Sequence, residues 1–430
     1  MDYKKTLNLP KTDFPMKANL TQREPLQLRK WDEENLYGSL LESKSSSPPY
    51  ILHDGPPYAN GKIHIGHALN KILKDFVVKS KSMEGYRTPF VPGWDCHGLP
   101  IEHQVLKNLG SKKAEKSRGE IRQLCREYAA KFIEIQKEEF KRLGVLGDWE
   151  NPYLTMTPGY EADIIREFGK VVRTGAVYRA KKPVLWCAHD ETALAEAEVD
   201  YEDHTSPSIF VKFRISGFGD GHTPAPDPEF ILIWTTTPWT LPANQGVAVH
   251  PEEIYRLILV TKPGATESWI LAETLLKSSM DKFGLAEGSD FTVDEERIPG
   301  REVCKRYTAY THPFVEGRRG RILEADFVTM DQGTGCVHIA PGHGQEDYDL
   351  YRALGGEEGP LKIVAPVDSR GRFTEEAGLP ELVGKKVFEA NDDVIRVLKT
   401  SGALIKSEAI AHSFPHCWRC KKPVLFRATE

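Results

Sequence analysis

The sequence predicts an α/β fold interrupted by a β-rich segment, and three observations support this prediction. First, 430 residues exceed what one ordinary hydrophobic core organises, so at least two domains are expected. Second, strand, helix and strand signals alternate over roughly the first 200 residues, which is typical of a parallel sheet. Third, short strand-like runs broken by Gly, Pro and Asp follow, from about residue 200 to about residue 405.

Apolar spacing predicts the individual elements. Residues 50–54 (YILHD) are predicted to be a short buried strand that ends at Gly55 and two prolines. Helices are predicted from His64–His67 onward, around 119–143, and after Pro158, because apolar residues recur three and four positions apart there. The strand-like runs of the second part include SIFVKFRI, FILIWTT, GVAVH, YRLILV and SWILAE.

Composition limits the class of protein. Hydrophobic residues make up 40% of the chain and charged residues 28%, as in globular proteins, and no apolar run reaches the length of a membrane span. Residues 1–20 carry charges and prolines where a signal peptide needs an apolar core. The net charge of −5 argues against a generally basic coat for nucleic acid. Seven scattered cysteines favour a reduced, cytoplasmic setting. Because no apolar run is long enough to span a membrane, no membrane partner is expected.

One predicted turn concentrates groups that suit phosphate binding. His64, Gly66 and His67 stand at a helix N-terminus, where free N–H groups and a partial positive charge favour anions. Gly66 permits close approach of a ligand, and two imidazoles can donate hydrogen bonds to a phosphoryl group. Helix capping and a metal pair are the alternatives, but no acidic partner has zincin spacing. Because no GxxxxGK[ST] loop occurs, a nucleotide is expected here if the chain binds one.

The residues around this turn resemble a known family. HIGH (His64–His67) is preceded by DGPPYANGKI and followed by ALNKILKD, and PFVPGWDCHGLPIE follows at Pro89–Glu102. Together with REFGKVVRTGAVYRAKKPV and ALAEAEVDYEDHTSPSIFVKF, these motifs resemble class I aminoacyl-tRNA synthetases, and the isoleucine enzymes more than the valine or leucine enzymes. The resemblance covers nearly the whole chain. It implies the first half of a Rossmann-like catalytic domain, interrupted by a β-rich editing domain.

The resemblance also implies roles for the residues of this turn. His64, Gly66 and His67 would bind ATP, used with Mg²⁺, and the histidines would stabilise the transition state as the carboxylate of isoleucine attacks the α-phosphate. Pro56 would form part of the wall of the amino-acid pocket. Asp95 would face the α-ammonium group, with a loop-capping carboxylate as the alternative. The implied enzyme is a monomeric ligase that activates isoleucine and transfers it to tRNA(Ile).

Domain borders follow from the same comparison. We expect an N-terminal extension at 1–48, the first catalytic half at 49–199, the editing domain at 200–405 and a return segment at 406–430. The family closes over ATP with a second, lysine-rich KMSKS loop. KSKSM (Lys79–Met83) resembles that loop in letters only, because it directly follows the HIGH helix. We therefore expect a partial chain that lacks the second half of the nucleotide fold.

Two motifs of the β-rich segment resemble the editing domain of the isoleucine, valine and leucine enzymes. These are WTTTPWTLPAN (Trp234–Asn244) and GTGCVHIAPGHGQEDY (Gly333–Tyr348). Valine lacks one methylene of isoleucine, and one methylene gives about 1–3 kcal/mol of discrimination, a figure for which the isoleucine enzyme is itself a standard example. A second site must therefore hydrolyse the smaller product.

The resemblance assigns the residues of this second site. Asp347 would bind the α-ammonium of misattached valine, and His338 would exclude isoleucine. The ester and the terminal adenosine would be oriented by Thr235, Thr236, Thr237 and Asn244. A helix cap is the alternative for Asp347, and a buried structural histidine is the alternative for His338. No Ser–His–Asp set is visible in the sequence, so an oriented water is expected to attack the ester.

Cysteine spacing predicts a zinc site. Cys417 and Cys420 lie in HCWRCKKP, which has the form of a zinc knuckle but supplies only half of a tetrahedral site. Some family members carry a second CxxC where this chain has Cys187, with Asp190 at the fourth position and His189 between them. We expect Cys417 and Cys420 as ligands, Cys187 next, and a Cys₃His or Cys₃Asp set. Free reduced thiols are the alternative.

Two other functions remain alternatives from the sequence. A small nucleotidyltransferase also uses an HxGH turn, but that function leaves the β-rich segment unexplained. The chain could instead act only as a tRNA-binding and editing module, for which ATP is irrelevant.

Overall fold

A computed structural model describes residues 3–8, 12–13, 17–262 and 264–430. The chain divides into two compact units, Met1–Tyr178 and Arg179–Glu430. The functional border expected at residue 200 stays a prediction. The expected N-terminal extension, residues 1–48, includes positions that lie outside the described residues.

The first unit is mainly helical. Its elements are α1 (Leu20–Glu33), α2 (Leu36–Ser43), α3 (Ile65–Met83), β1 (Gly93–Trp94), α4 (Leu99–Leu109), α5 (Arg118–Arg142), β2 (Tyr153–Leu154) and α6 (Pro158–Arg173). The three helices predicted from apolar spacing are confirmed as α3, α5 and α6. Strands β1 and β2 pair in parallel, as predicted for this part, although each contributes only two residues.

The strand predicted at residues 50–54 is wrong. Tyr50 donates one backbone hydrogen bond to the carbonyl of Arg87 at 2.8 Å, and Pro49 forms an isolated parallel bridge with the same residue. Ile51 is 74% exposed. Prolines stand on both sides of the segment and cannot donate to a ladder, and no strand is formed over residues 50–54. Asp54, at its end, is nevertheless fully buried.

Helix α3 buries part of its polar face and exposes its apolar face. Lys71 and Asp75 are buried, whereas Leu69 and Phe76 are 59% and 62% exposed. Two carboxylates account for the buried charge. Asp54 pairs with Lys71, and Asp75 pairs with Lys79 four residues further along the helix. A buried charge needs such a partner, so these contacts determine which side of α3 packs against the rest of the first unit.

Asp54 also connects the segment before the HIGH turn to the rest of the first unit. Its carboxylate accepts hydrogen bonds from Lys74 Nζ at 2.7 Å and from the Gly93 backbone N–H at 3.0 Å. Its carbonyl accepts the hydroxyl hydrogen bond of Tyr153, whose pKa is raised to about 12, chiefly by burial. Asp54 therefore connects α3, through Lys71 and Lys74, with both β1 and β2.

The second unit contains the predicted β-rich fold. Its elements are β3 (Lys182–Cys187), β4 (Thr192–Ala193), β5 (Val199–Phe218), β6 (Glu229–Thr235), β7 (Gly246–Val249), β8 (Ile254–Lys262), β9 (Ala265–Ala272), α7 (Glu273–Phe283), β10 (Phe291–Val293), β11 (Ile298–Pro299), α8 (Gly300–Arg306), β12 (Tyr307–Thr311), β13 (Arg319–Glu324), β14 (Cys336–Ile339), α9 (Gln345–Ala353), α10 (Asn391–Thr400), β15 (Leu404–Cys417) and β16 (Leu425–Thr429).

An 11-stranded mixed sheet forms most of the second unit. The main path runs β10-β8-β9-β6-β5-β12-β13-β7-β14, with β11 on β8 and β15 on β5. A smaller sheet has the order β16-β3-β4. Apolar side chains of β5, β6, β7 and β9 fill the main core, with aromatic residues from β8 and β12. Among the described residues, no helix has both the length and the apolar character that a membrane crossing requires.

The large sheet brings the two editing-like motifs together. Strand β6 ends at Thr235, and the residues that follow form a short 3₁₀ helix, Pro238–Ala243. Strand β7 then pairs antiparallel with β14, so that His338 lies opposite Val247 and Ile339 opposite Gly246. The threonine run and the strand that carries His338 are therefore neighbours.

Candidate functional site

His64 and His67 form a capping pair at the start of α3. His64 is the N-cap residue, and its Nδ1 accepts a hydrogen bond from the Gly66 backbone N–H at 3.0 Å. The backbone N–H of His64 donates in turn to Nδ1 of His67 at 3.4 Å. Capping, which was one alternative for this pair, is therefore present. The two Nε2 atoms, which these contacts do not use, remain available for a ligand.

The two imidazole rings are stacked. Their centroids are 3.8 Å apart and their planes differ by 20°. Burial lowers the pKa of His67, and the nearby His64 and Lys71 lower it further. A Cβ on Gly66 would lie 2.9 Å from Cε1 of His64, so glycine leaves the room that this arrangement requires. The turn can offer adjacent imidazole nitrogens and helix N–H groups to an anion.

Pro56 and Asp95 lie on neighbouring backbone segments. The backbone N–H of Asp95 donates to the carbonyl of Pro57 at 2.9 Å, and the carbonyl of Asp95 accepts from Ala59 at 2.9 Å. The Asp95 carboxylate accepts from the His97 backbone N–H at 3.3 Å, which is the loop-capping contact. No cation in the described part of the chain contacts this carboxylate, so it can still accept a ligand.

The threonine run forms a local hydrogen-bonded network. Oγ1 of Thr235 accepts from the Thr237 backbone N–H at 3.1 Å and lies 3.2 Å from Oγ1 of Thr237. The Thr237 hydroxyl is in turn 3.3 Å from Oγ1 of Thr240. Thr236 and Thr237 line a cavity of about 310 Å³ whose other walls include Trp239. Thr235 and Thr240, by contrast, are buried and do not line this cavity.

His338 is buried in a hydrogen-bond chain that fixes its tautomer. Asn244 Nδ2 donates to the carbonyl of Gly246 at 2.9 Å and lies 3.1 Å from His338 Nδ1, which must therefore accept. The proton of the neutral ring is then on Nε2, which is 2.8 Å from Oγ1 of Thr240. The Thr240 hydroxyl donates to the carbonyl of Thr237 at 2.8 Å. Both imidazole nitrogens of His338 are thus occupied.

Burial keeps His338 uncharged. It lowers the pKa of this imidazole to about 3, and His343 adds to the effect. A neutral ring with both nitrogens engaged offers no free site for proton abstraction. The arrangement therefore does not suit a general base.

Asp347 lies near the end of the strand that carries His338. It occupies the first turn of α9, and its Oδ2 accepts a hydrogen bond from the Ala340 backbone N–H at 2.8 Å. A Cβ on Gly344 would lie 2.9 Å from Cγ of Asp347, so glycine permits this close approach. No cation among the described residues pairs with Asp347, and burial raises its pKa to about 6. An ammonium ligand would supply the missing positive charge.

Several site residues were missed from the sequence. Thr240 and Tyr310 belong to the network around His338, since the Tyr310 hydroxyl donates to Oδ1 of Asn244. His312 is also buried, and its Nε2 lies 3.0 Å from the carbonyl of Leu241, next to the 3₁₀ helix. Thr240 stands inside WTTTPWT and could have been included. Tyr310 and His312 lie far along the chain and carry no sequence signal that links them to the motif.

Three cysteines and one aspartate form a candidate metal centre. Ligand atoms of Cys187, Asp190, Cys417 and Cys420 all lie within 4.8 Å of one another. Sγ of Cys187 is 3.5 Å from Sγ of Cys420, and Sγ of Cys417 is 3.6 Å from the Asp190 carboxylate. With Zn–S bonds of about 2.3 Å, tetrahedral geometry places two sulfurs about 3.8 Å apart, so the donor set fits zinc. His189 lies outside this set, with Nδ1 bonded to Asp190 at 2.9 Å.

The two halves of this centre have the same local shape. Each is a four-residue turn, Cys187–Asp190 and Cys417–Cys420, and each is followed by a residue in the left-handed region. Those residues are Glu191, with φ 52°, and Lys421, with φ 56°. The side chain of Asp190 therefore takes the place of a fourth cysteine. Burial opposes its ionisation, but hydrogen bonds from His189 and Cys187 outweigh that effect and lower its pKa.

Comparison with known proteins adds independent findings. A family model for class I tRNA synthetases (I, L, M and V) matches residues 27–338. The isoleucine–tRNA ligase of Thermotoga petrophila is 53% identical to this chain, and the alignment covers 100% of the chain and 44% of that relative. The ligase of Geobacter sulfurreducens is 52% identical, with 100% and 45% covered. The chain spans less than half the length of these curated relatives.

A solved structure aligns with part of the chain. The crystal structure of GlLeuRS-CP1 aligns with 47% of this chain and 99% of its own, at 14% identity and a TM-score of 0.37. That similarity is too low to bear on the fold.

Proposed function

The chain belongs to the class I tRNA synthetases (I, L, M and V), and from this membership we propose that it carries the ATP-binding turn and the editing site of an isoleucine–tRNA ligase. The full ligase would activate isoleucine with ATP and Mg²⁺ and transfer it to tRNA(Ile). We propose a cytoplasmic, monomeric enzyme. We also propose that residues 49–199 form the first catalytic half, residues 200–405 the editing domain, and residues 406–430 the return segment.

The arrangement of His64 and His67 supports the ATP-binding proposal. The stacked rings stand at the N-terminus of a 19-residue helix, where the helix dipole favours a phosphate. In the proposed reaction, their Nε2 atoms hold the phosphates as negative charge moves onto the leaving pyrophosphate. Pro56 and Asp95 lie on adjacent segments and would bound the amino-acid pocket, with Asp95 receiving the ammonium group of isoleucine.

The observation that carries the editing proposal is the half-buried carboxylate of Asp347. It lies beside the strand of His338, and no cation among the described residues pairs with it. The ammonium of a misattached valine would supply that charge. His338, held rigid on both nitrogens, would form the wall that a longer side chain meets. The hydroxyls of Thr235, Thr236 and Thr237 would orient the ester and an attacking water.

Zinc is proposed for the centre formed by Cys187, Asp190, Cys417 and Cys420. When bound, zinc would act as a structural ion with four protein ligands. These residues connect the end of β3 with the turn that follows β15, so the metal would tie together the two chain segments that flank the large sheet. His189 would hold the Asp190 carboxylate in position through its Nδ1 hydrogen bond.

The editing proposal is tested by hydrolysis of Val-tRNA(Ile) by the 430-residue chain and two matched variants. Asp347→Asn retains the size of the side chain and its acceptor for Ala340, but it removes the charge that would bind the ammonium. We expect a loss of hydrolysis of at least about 100-fold, as for removal of a buried charged partner. Glu346→Gln, which changes an exposed carboxylate on the same turn, should hydrolyse at the parent rate. Parent-level hydrolysis by Asp347→Asn would contradict the assignment.

The same preparation separates editing from activation. The 430 residues contain no KMSKS sequence, so they supply phosphate-binding groups on only one side of the proposed ATP site. We therefore expect no isoleucine-dependent pyrophosphate exchange by this chain alone. Robust exchange would contradict the proposal that this chain edits but does not activate isoleucine. It would favour a chain with a complete activation site.

A further inference from the structure

The three thiols of the metal centre are not equivalent. Sγ of Cys187 and Sγ of Cys420 are 3.5 Å apart, although these residues are 233 positions apart in the sequence. Sγ of Cys417 instead donates to the carboxylate of Asp190 at 3.6 Å. The sulfurs of Cys187 and Cys420 are therefore in contact, whereas the sulfur of Cys417 is hydrogen-bonded to a carboxylate.

We propose that Cys187 and Cys420 are an oxidative modification site, at which a peroxide joins the two sulfurs in a disulfide. This inference assigns the pair a covalent state beyond the proposed zinc site. The disulfide does not require that zinc be bound, because the two sulfurs are already in contact without it.

The reaction balances with hydrogen peroxide as the oxidant. Cys420 is half-buried whereas Cys187 and Cys417 are buried, so Cys420 is the thiol that peroxide reaches first. Its sulfur attacks one peroxide oxygen, the O–O bond breaks, and a sulfenic acid and one water result. The sulfur of Cys187 then attacks the sulfenic sulfur, the S–O bond breaks, and a second water leaves with the thiol proton. Two thiols and one peroxide give one disulfide and two waters.

The surrounding strands hold the pair in register for this step. A disulfide bond is about 2.05 Å long, so the sulfurs must approach by about 1.5 Å. Cys187 ends β3, and β3 pairs with β16, with Trp186 opposite Leu425. Cys420 lies in the turn that leads into β16. Both sulfurs therefore stand beside the same strand pair, with 3.5 Å between them.

Disulfide formation and metal binding exclude each other at this centre. A sulfur in a disulfide is no longer a thiolate ligand, and a structural zinc site needs four ligands. After oxidation only Cys417 and Asp190 remain as donors. One zinc should therefore be released for each pair of thiols lost.

The test uses the 430-residue chain in two preparations, one loaded with one equivalent of zinc and one metal-free. Each is treated with hydrogen peroxide, unreacted thiols are alkylated after unfolding, and protease fragments are analysed by mass spectrometry. We expect a fragment linked through Cys187 and Cys420 in both preparations, with Cys304 and Cys336 alkylated. In the loaded preparation, a zinc indicator should report one zinc per linked pair.

Matched serine variants identify the pair. Cys417→Ser and Cys420→Ser each remove one donor, but only Cys420→Ser should abolish the link to Cys187. A dominant Cys417–Cys420 disulfide in the parent chain, or no disulfide in either preparation, would overturn the inference. If the chain binds no zinc but still forms the Cys187–Cys420 link, the zinc proposal fails and this inference stands.

Discussion

Nδ2 of Asn244 lies 3.1 Å from Nδ1 of His338, and this contact fixes which nitrogen of the buried imidazole carries the proton. The same amide nitrogen donates to the Gly246 carbonyl, which can only accept, so its orientation is determined. One amide group thus fixes the tautomer of the neutral His338 ring.

Replacing this amide should change the tautomer of His338. Asn244→Asp keeps the shape of the side chain but offers Nδ1 only an acceptor, so His338 should gain an Nδ1–H proton. We expect the nitrogen NMR signals of His338 to report that proton, and a stability loss of about 1–3 kcal/mol for the disturbed buried contacts. Gln245→Glu, which adds the same charge at the following residue, should leave the His338 tautomer unchanged. An unchanged tautomer in Asn244→Asp would contradict the hydrogen-bond chain.

Asp347 should make the folded protein less stable at neutral pH than in mild acid. Its folded pKa of about 6 lies above the ordinary value of 3.8, so the folded state holds its proton more tightly than the unfolded chain. That stabilising contribution is complete below about pH 4 and is lost as the pH rises through 6. Asp347→Asn should therefore be more stable than the parent at pH 7.5, by up to about 3 kcal/mol. The difference should shrink steadily below pH 6.

Denaturant unfolding at several pH values measures this difference. Glu346→Gln serves as the control, because its carboxylate is exposed and should stay within about 0.5 kcal/mol of the parent. A constant difference between Asp347→Asn and the parent from pH 4 to pH 8 would show that burial does not raise this pKa.

Much of the fold could be predicted from the sequence, and the limits have physical causes. Apolar spacing located α3 and α6, but it did not predict that Leu73 and Phe168 would be exposed. Periodicity shows which residues share a helix face, but it does not show whether another part of the protein packs against that face. The burial of Lys71 depends on Asp54, which stands 17 positions earlier in a segment that was predicted to be a strand. Such pairing is set by tertiary contacts.

For the candidate sites too, the sequence identified residues but not the contacts between them. Motif spacing singled out His338, Asn244 and Asp347, but the tautomer of His338 depends on contacts from Asn244 and Thr240 that only the fold reveals. Asp190 was one of two candidates for the fourth position of the metal centre. The geometry groups Asp190 with the three cysteines and leaves His189 outside, because the exposed His189 ring contacts the Asp190 carboxylate and not the sulfurs.

Removing the imidazole of His64 should impair activation without unfolding α3. In the full-length ligase, His64→Asn keeps an N-cap acceptor for the Gly66 N–H but removes the ring that would contact phosphate. We expect isoleucine-dependent pyrophosphate exchange to fall by about 10²–10³-fold, as for loss of one preorganised donor. Thermal unfolding should be nearly unchanged. Parent-level exchange in His64→Asn would remove His64 from the proposed ATP site.

Converting Asp190 to cysteine should strengthen zinc binding. Asp190→Cys completes a four-thiolate set on two turns of matching shape, and thiolates are the preferred ligands of structural zinc sites. Competition with a chromophoric chelator should show tighter binding in this variant than in the parent. His189→Ala, which leaves all four donors in place, should weaken binding by about 10-fold or more through loss of the Asp190 contact. Equal affinities in all three proteins would argue against a role for Asp190 as a ligand.

The most direct test of the central claim compares hydrolysis of Val-tRNA(Ile) and Ile-tRNA(Ile) by the unmodified 430-residue chain under identical conditions. The proposed site binds the α-ammonium through Asp347 and excludes the longer side chain through His338. We therefore predict that Val-tRNA(Ile) is hydrolysed at least about 10-fold faster than Ile-tRNA(Ile), the discrimination expected from one methylene against a rigid wall. Equal rates for the two substrates, or no hydrolysis of Val-tRNA(Ile) above the spontaneous rate, would contradict the account.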